Sequence, residues 1–211
     1  MGVSPITINL IKELNKKRGT FNSVLDVGCG DKVFSKYVDC NNYIGIEVNE
    51  SGHEAKKIAD HFFDGVNIPF EKDTFDLILC LNVLEHALEP IDLLLEMKRV
   101  LKPSGAILIC IPFLIAEHEE PFDFRRYTSF GISKLAKDLD MRMELFEAEH
   151  KNVNSFIALG LGGIWKSQKN NYLKKLIGTL WLKLTRFLFL KILSLNMEGM
   201  HRMNHAIFKK N

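Results

Sequence analysis

The chain has 211 residues, of which 46% are hydrophobic and 26% charged, the proportions of an ordinary globular protein with one domain. Residues 1–165 hold 18 basic and 25 acidic side chains, and residues 166–211 hold 10 basic side chains and one acidic. This acidic first part disfavours a nucleic-acid substrate, and the chain lacks the Asn-Pro-Pro-aromatic motif of base methylation. The basic, apolar end of the chain indicates a second role for that segment.

The four cysteines predict neither a metal site nor a disulfide framework, because no two of them have the Cys-x-x-Cys spacing. Cys80 and Cys110 lie in apolar runs, where cysteine is most often a small buried hydrophobe. Met1 leads into polar sequence without the basic and then apolar segment of an export signal. We therefore expect a protein of the reducing cytoplasm.

The first predicted elements alternate between helix and strand. Ser4-Pro5 fits an N-cap and a first helical position, and Gly19 fits the end of that helix. The pattern then predicts, in order, a strand at 23–28, a helix at 31–39, a strand at 42–47, a polar surface helix at 50–60 and a short strand that ends near 64–65.

The second half continues this alternation around a continuous apolar strand at 75–80, the type expected at the centre of a parallel sheet. A helix opens at Pro90 and ends at the turn 102–105. The remaining predicted elements are a strand at 106–111, a helix at 130–139, a strand at 142–149 and a last strand at 204–209. The pattern predicts a doubly wound α/β sheet that binds its ligand at the carboxyl ends of the strands.

The stretch from Ser23 to Asp31 ends the first strand with two spaced glycines, Gly28 and Gly30. Glycines at such a turn allow a ligand to approach the main chain closely. A dinucleotide fingerprint needs a further glycine where Val33 stands, and no P-loop occurs. A tight turn without a ligand is the alternative reading. The glycine loop and the following helix start predict a site for a nucleotide-like ligand.

Five motifs in order resemble class I S-adenosylmethionine-dependent methyltransferases. They are Val24-Leu-Asp-Val-Gly-Cys-Gly30, Ile46-Glu47, Asp64 to Asp76, Asn82-Val-Leu-Glu-His86 and Arg99 to Gly105. The set is similar to the branch with quinone-biosynthesis enzymes and enzymes of small-molecule and glycan pathways. Two departures are Lys32, where a third glycine is common, and Ser104, which replaces a glycine before the fifth strand.

The resemblance implies roles for seven residues at the cofactor. Asp26 would orient the loop and help to fix the amino-acid part of S-adenosylmethionine, along which the backbone of Gly28 and Gly30 would pack. Glu47, 17 residues beyond Gly30, would accept hydrogen bonds from the ribose hydroxyls. The other three are Asp64 and Gly65 at the adenine edge, and Asn82 beside the methionine moiety. As an alternative, Asp64 is an ordinary turn residue. His86 is predicted to be structural.

The segment 112–128 follows the fifth strand and is predicted to cap the cleft. Its pattern of His118, Pro121, Asp123 and Arg126-Tyr-Thr resembles methyltransferases associated with cell-surface glycan synthesis. His118 is the candidate base for a hydroxyl acceptor, because the pKa of an imidazole is near neutral. The alternative is that His118, Asp123 and Arg126 form a salt-bridged lid.

The sequence thus predicts one methyltransferase domain over 1–211 with a seven-stranded sheet and an apolar, basic helical insertion at 152–203. The predicted reaction is O-methylation of a glycan or a lipid-linked cell-surface precursor. Alternatives are an isoprenoid quinone or other small lipid as acceptor, and a non-catalytic scaffold that binds the cofactor. The oligomeric state is not predicted.

The segment 172–195 carries a basic stripe of Lys175, Lys183 and Arg186 among leucine, isoleucine, phenylalanine and Trp181. These charges interrupt every apolar window long enough to span a bilayer. Two interpretations remain: a helix packed on the protein or on a partner, and an interfacial helix on anionic lipid. The second interpretation would place the protein at the inner face of the membrane.

Overall fold

The computed structural model describes residues 4–50, 58–149 and 203–210. Among them a single sheet of seven strands has the order β3-β2-β1-β4-β5-β7-β6. The strands are β1 (Phe21–Val27), β2 (Cys40–Val48), β3 (His61–Phe63), β4 (Phe75–Leu81), β5 (Leu101–Pro112), β6 (Met141–Ala148) and β7 (Met203–Lys210). The helices are α1 (Pro5–Arg18), α2 (Pro90–Val100) and α3 (Ser129–Asp138).

The first five strands are parallel to one another, and β7 runs antiparallel between β5 and β6. The predicted doubly wound, seven-stranded sheet is therefore confirmed, and its last strand is the antiparallel one. The chain forms β2 and β3 on one side of β1 and then crosses back to form β4 on the other side of β1. The strand order therefore reverses direction at β1. Such a reversal opens a crevice at the carboxyl ends of the strands.

Two apolar layers cover the two faces of the sheet. One layer combines Leu25, Ile78 and Ile109 with residues of α2 and α3, and the other combines Val24, Leu77 and Leu79 with α1. Because successive strand residues point to opposite faces, a strand covered on both sides must be apolar throughout. This explains the apolar run of β4 from Leu77 to Leu81, including the buried thiol of Cys80, while Asp76 near the start of the strand is only partly buried.

The α-helix predicted at 31–39 is wrong. The segment forms turns and a short 3₁₀ helix, Ser35–Tyr37. Lys32 has a φ of 55°, and a residue in this left-handed region cannot continue a right-handed helix. Asn15 of α1 then donates from its side chain to the carbonyl of Tyr37, at 2.8 Å. One turn is thus bonded to α1, and β2 begins directly after it.

The turn predicted at 102–105 is part of a strand, because β5 already begins at Leu101, which pairs with Phe75. The predicted helix at 50–60 lies mostly outside the described residues, and its last residues, 58–60, are not helical. The predicted insertion at 152–203 lies outside the described residues as well, except for Met203. In the described part of the chain, no helix is long and apolar enough to cross a membrane.

Candidate active site

A cavity of about 940 Å³ lies at the carboxyl ends of the parallel strands. We call the part formed by the segments after β1, β2 and β3 the glycine-loop side, and the part formed by the segments after β4 and β5 the β4–β5 side. Of the predicted cofactor residues, the cavity is lined by Gly28, Gly30, Glu47, Asp64, Gly65 and Asn82. Neither Asp26 nor His118 is among the lining residues.

The loop after β1 requires glycine at position 28 because of its contact with the protein itself, in addition to the predicted close approach of a ligand. Gly28 has a φ of 68°, and a Cβ atom built there would lie 2.5 Å from Cγ2 of Val83. The loop therefore packs against the segment after β4, and a side chain at Gly28 would collide with protein. Gly30 also has a positive φ, of 50°. Both residues bring their backbone to the wall of the cavity.

Glu47 at the end of β2 binds the glycine loop. One carboxylate oxygen accepts from the backbone N–H of Gly30 at 3.0 Å, and the other accepts from the N–H of Val48 at 3.0 Å. The side chain is only 7% exposed, and this small exposed part faces the cavity. A carboxylate fixed by two N–H donors retains lone pairs for further donors, such as ribose hydroxyls. That role stays a prediction.

Asp64 organises its own turn after β3. Its carboxylate accepts from the backbone N–H groups of Val66 and Asn67 and from the side-chain amide of Asn67, at 2.6–2.8 Å. These bonds hold the pKa of Asp64 below its usual value. The geometry matches the turn reading of Asp64, while its place on the cavity wall keeps the predicted contact with adenine open. Gly65, at φ 93°, follows in the same turn.

Asp26 lies inside β1 and is 2% exposed. Its carboxyl group accepts a hydrogen bond from the hydroxyl of Tyr43 on β2, at 2.6 Å. Burial raises the pKa of Asp26 to about 7, although the Tyr43 hydroxyl opposes that rise. Asp26 precedes Gly28 by two residues and so lies close to the loop. Its role in orienting the loop stays a prediction.

Asn82 begins the β4–β5 side and has a φ of 59°. Its backbone N–H donates to the carbonyl of Cys110 at the end of β5, at 2.8 Å. This bond ties the segment after β4 to the neighbouring strand. Asn82 therefore stands at the boundary between the two sides of the cavity, and its place beside the methionine moiety stays a prediction.

A buried polar cluster follows Asn82, formed by Glu85, His86 and His118. One ligand-type atom from each of the three side chains lies within 4.8 Å of the other two. Glu85 is fully buried, and burial raises the pKa of its carboxyl group to about 8. The rings of His86 and His118 meet edge to face, with centroids 4.9 Å apart. Only His86 lines the cavity directly.

The segment 112–128 is held against this cluster. The backbone N–H of Phe124 donates to the carbonyl of Glu85 at 2.9 Å, and the guanidinium of Arg125 donates to the carbonyls of Ala87 and Leu88. Ring nitrogen Nδ1 of His86 lies 2.8 Å from the carbonyl oxygen of Phe122. His86 thus joins the two segments, in addition to its place on the cavity wall.

His118 has the neighbours of the predicted salt-bridged lid. Asp123 accepts from both guanidinium nitrogens of Arg126 and from the backbone N–H of His118, the latter at 2.9 Å. Nδ1 of His118 lies 3.2 Å from Asp123 Oδ2. Burial lowers the pKa of the His118 imidazole, while the Arg126 guanidinium holds the pKa of Asp123 well below its usual range. The role of His118 as a base stays a prediction.

Glu85 is the residue that the sequence reasoning missed. It stands in the quoted motif, yet no role was assigned to it. The available signal was a carboxylate flanked by the apolar residues Leu84 and Ala87, beside a histidine. His118 lies 33 positions after Glu85, and no recognisable motif spacing joins the two residues.

A family model described as a methyltransferase domain matches residues 6–167. Among curated proteins, a ubiquinone biosynthesis O-methyltransferase of Actinobacillus pleuropneumoniae is 29% identical over 124 residues, which is 50% of this chain and 51% of that protein. The chain spans about half the length of such relatives, or less.

Solved structures share the fold at low sequence identity. The [4+2]-cyclase SpnF has a TM-score of 0.63 and 16% identity, over 97% of this chain and 80% of SpnF. The phosphoethanolamine N-methyltransferase 2 of Haemonchus contortus, in complex with S-adenosyl-L-methionine, has a TM-score of 0.57 and 15% identity, over 98% of this chain and 53% of that one.

Proposed function

We propose that this chain, which belongs to the class I S-adenosylmethionine-dependent methyltransferases, methylates a hydroxyl oxygen of a glycan or lipid-linked precursor. The cofactor is S-adenosylmethionine. When bound, it supplies a methyl group that is already activated by the sulfonium charge. The protein then has two tasks: to align the acceptor and to make its hydroxyl nucleophilic.

The glycine-loop side fits this cofactor. The cavity is large enough for a nucleoside with an amino-acid tail, and the backbone of Gly28 and Gly30 forms part of its wall. The carboxylate of Glu47 retains lone pairs beyond its two N–H donors, which supports the proposed ribose contact. The position of the turn at Asp64 and Gly65 supports the proposed adenine contact. Asn82 lines the cavity, and we propose that it lies at the amino-acid tail; Asp26 does not line the cavity and is proposed to act only by orienting the loop.

The observation that carries the choice of a hydroxyl acceptor is the polar cluster beside the cavity. A hydroxyl group must lose its proton during methyl transfer, so its site needs a proton acceptor or a charge that stabilises the oxyanion. Glu85, His86 and His118 offer such groups beside a wall that includes the apolar residues Leu88 and Phe122. We propose that His118 activates the hydroxyl as part of this cluster.

An aromatic precursor of an isoprenoid quinone is the second candidate acceptor. Relatives from several bacteria are named ubiquinone biosynthesis O-methyltransferases, at 26–29% identity. The apolar residues on the β4–β5 side suit an aromatic ring as well as a sugar face. A scaffold without turnover is the alternative of another class. The match to a cyclase shows that this fold alone does not imply methyl transfer, so transfer has to be tested directly.

The basic, apolar sequence of the segment 172–195, which lies outside the described residues, also supports a lipid-linked acceptor. If it binds lipid, the full chain will co-sediment with anionic liposomes at low salt, and added salt will weaken the binding. Changing Lys175, Lys183 and Arg186 to glutamate should abolish it. Absence of binding at low salt leaves the packed-helix interpretation.

Two measurements test the proposed function. Calorimetry should show binding of S-adenosylmethionine and none of NAD; binding of NAD alone, or of neither, would contradict the cofactor assignment. Cofactor with a labelled methyl group is then offered with sugar nucleotides, lipid-linked saccharides and quinone precursors. Label on a saccharide oxygen supports the first acceptor class, and label on a phenolic oxygen supports the second. Cofactor binding without transfer to any of them favours the scaffold.

A further inference from the structure

The polar cluster of Glu85, His86 and His118 leaves its ligand-type atoms without protein partners. Among the described residues, no hydrogen-bond partner meets either carboxylate oxygen of Glu85, Nε2 of His86 or Nε2 of His118. Glu85 has no exposed surface. Buried polar atoms are nearly always satisfied, because a buried and unpaired carboxylate is costly. So many unsatisfied atoms at one point indicate a ligand that they share.

The neighbours of the two imidazoles set which nitrogen can bind a cation. The carbonyl oxygen of Phe122 only accepts, so Nδ1 of His86 donates to it and Nε2 keeps the lone pair. Nδ1 of His118 lies 3.2 Å from the Asp123 carboxylate, which favours the proton on Nδ1 and the lone pair on Nε2. A carbonyl or carboxylate behind a histidine is the usual arrangement at protein metal sites.

The surrounding charge also favours a cation. Oε2 of Glu119 lies 3.6 Å from Nε2 of His86, and Asp123 lies behind His118. Glu85, Glu119 and Asp123 place three carboxyl groups at the cluster, and Asp123 pairs with the guanidinium of Arg126. A divalent ion would add positive charge beside these carboxyl groups.

We propose that Glu85, His86 and His118 hold a divalent first-row transition-metal ion, through one carboxylate oxygen and two imidazole nitrogens. Two imidazoles with a carboxylate suit Zn²⁺, Co²⁺, Ni²⁺ or Fe²⁺ better than Mg²⁺ or Ca²⁺, which prefer oxygen ligands. The sequence predicted no metal site, because His118 lies too far along the chain to form a recognisable ligand motif with Glu85 and His86.

This metal site would extend the proposed function. The binding of the ion does not depend on the proposed function, but the role of the ion in methyl transfer rests on it. His86 lines the cavity, so an ion on its Nε2 lies beside the space where an acceptor hydroxyl is proposed to bind. A metal ion lowers the pKa of a bound hydroxyl or water. His118 would then act on the acceptor through the ion, rather than by taking the proton itself.

The test uses the full chain, stripped of metal with a chelator, without cofactor or acceptor. Competition with a chromophoric chelator measures the affinity for Zn²⁺, with Mg²⁺ as the comparison ion. We expect one Zn²⁺ per chain, bound far more tightly than Mg²⁺. Glu85→Gln and His118→Gln should each weaken Zn²⁺ binding by at least about tenfold. The exposed His61, changed to alanine, is the matched control and should leave the affinity unchanged.

The absorption spectrum of the Co²⁺-loaded wild type gives a readout that does not depend on the folding of variants. Imidazole and carboxylate ligation should give visible d–d bands without a thiolate charge-transfer band. A thiolate band, absence of a stoichiometric ion, or equal affinity in the wild type and both glutamine variants would overturn the proposal. Calorimetry with S-adenosylmethionine separates the outcomes, because cofactor binding without metal binding contradicts the metal site and leaves the proposed function standing.

Discussion

The two sides of the cavity differ in whether their polar side-chain atoms have hydrogen-bond partners within the protein. On the glycine-loop side, the carboxylates of Glu47 and Asp64 both accept hydrogen bonds from backbone N–H groups nearby. On the β4–β5 side, the carboxylate of Glu85 and the free nitrogens of two histidines have no such partner among the described residues. One side is therefore complete without a ligand, and the other side is not.

The difference teaches how the two tasks of a methyltransferase are divided. A cofactor site can be built from backbone groups and from carboxylates that are already hydrogen-bonded within the protein. Such a site needs only a complementary shape and a few lone pairs, because the cofactor supplies the reactive group. An acceptor site must supply the activating groups, and their polar atoms must stay available. The following predictions break or sharpen this division, from the largest expected effect to the smallest.

Removing the imidazole of His118 should harm turnover and spare cofactor binding. His118→Ala is expected to lower kcat by about 10²–10⁴-fold, the range for a lost activating group. Cofactor affinity, measured by calorimetry, should stay nearly unchanged, because His118 does not line the cavity. The control is His61→Ala at an exposed position. Normal turnover in His118→Ala would reduce this residue to a member of a salt-bridged lid.

Asp26 lies in β1, two residues before Gly28, and tests the cost of a buried carboxyl group next to the glycine loop. Its pKa in the folded protein is about 7, above the ordinary value of 3.8, so ionising it costs more in the folded state than in the unfolded state. The free energy of unfolding should therefore fall as the pH rises from about 4 to 7. Asp26→Asn keeps an acceptor for the hydroxyl of Tyr43 and removes this cost.

The stability gain of Asp26→Asn over the wild type should be near zero at pH 4 and about 2–4 kcal/mol at pH 8. Urea unfolding at the two pH values measures it, and Asp31→Asn, at an exposed position nearby, serves as the control. A gain that is the same at both pH values would show that the buried charge is not its cause.

Of the two reactants, the cofactor and not the acceptor should depend on Glu47. Glu47→Ala is expected to weaken S-adenosylmethionine binding by roughly 1.5–3 kcal/mol, the scale of a lost charge-assisted hydrogen bond. Calorimetry measures the loss, and circular dichroism checks that the fold is intact. Glu71→Ala removes an exposed carboxylate elsewhere and should bind like the wild type. Unchanged affinity in Glu47→Ala would contradict the proposed ribose contact.

Lys32 gives the smallest expected effect. Its left-handed φ of 55° costs about 1 kcal/mol for a residue other than glycine, while its ion pair with Asp60 returns less than about that amount. Lys32→Gly should therefore change the free energy of unfolding by less than about 1 kcal/mol, as measured by urea unfolding. A larger loss would mean that the pair with Asp60 is a main support of the loop.

The sheet and the glycine-loop side were predictable because their signals are local. The apolar run at 75–80 became the central strand, and the spacing of Gly30 and Glu47 placed both at neighbouring strand ends, where they are hydrogen-bonded. The predicted helix at 31–39 failed because its pattern does not reveal the left-handed conformation at Lys32. The common glycine at that position in the family was the available signal.

The polar cluster could not be predicted in the same way. Glu85 and His118 meet only because Phe124 and Arg125 hold the segment 112–128 on the segment after β4. Such contacts between distant segments leave no periodicity in the sequence. The sequence identified His118 by its chemistry, but its relation to Glu85 depends on tertiary structure.

The division between the two sides is tested most directly by single-turnover transfer of a labelled methyl group, for the wild type, Glu47→Ala and His118→Ala over a range of cofactor concentrations. We predict that Glu47→Ala regains most of the wild-type rate at high cofactor concentration, because only its affinity is reduced. His118→Ala should stay slow at every concentration. If raising the cofactor concentration restores His118→Ala, or fails to restore Glu47→Ala, the proposed division of tasks is wrong.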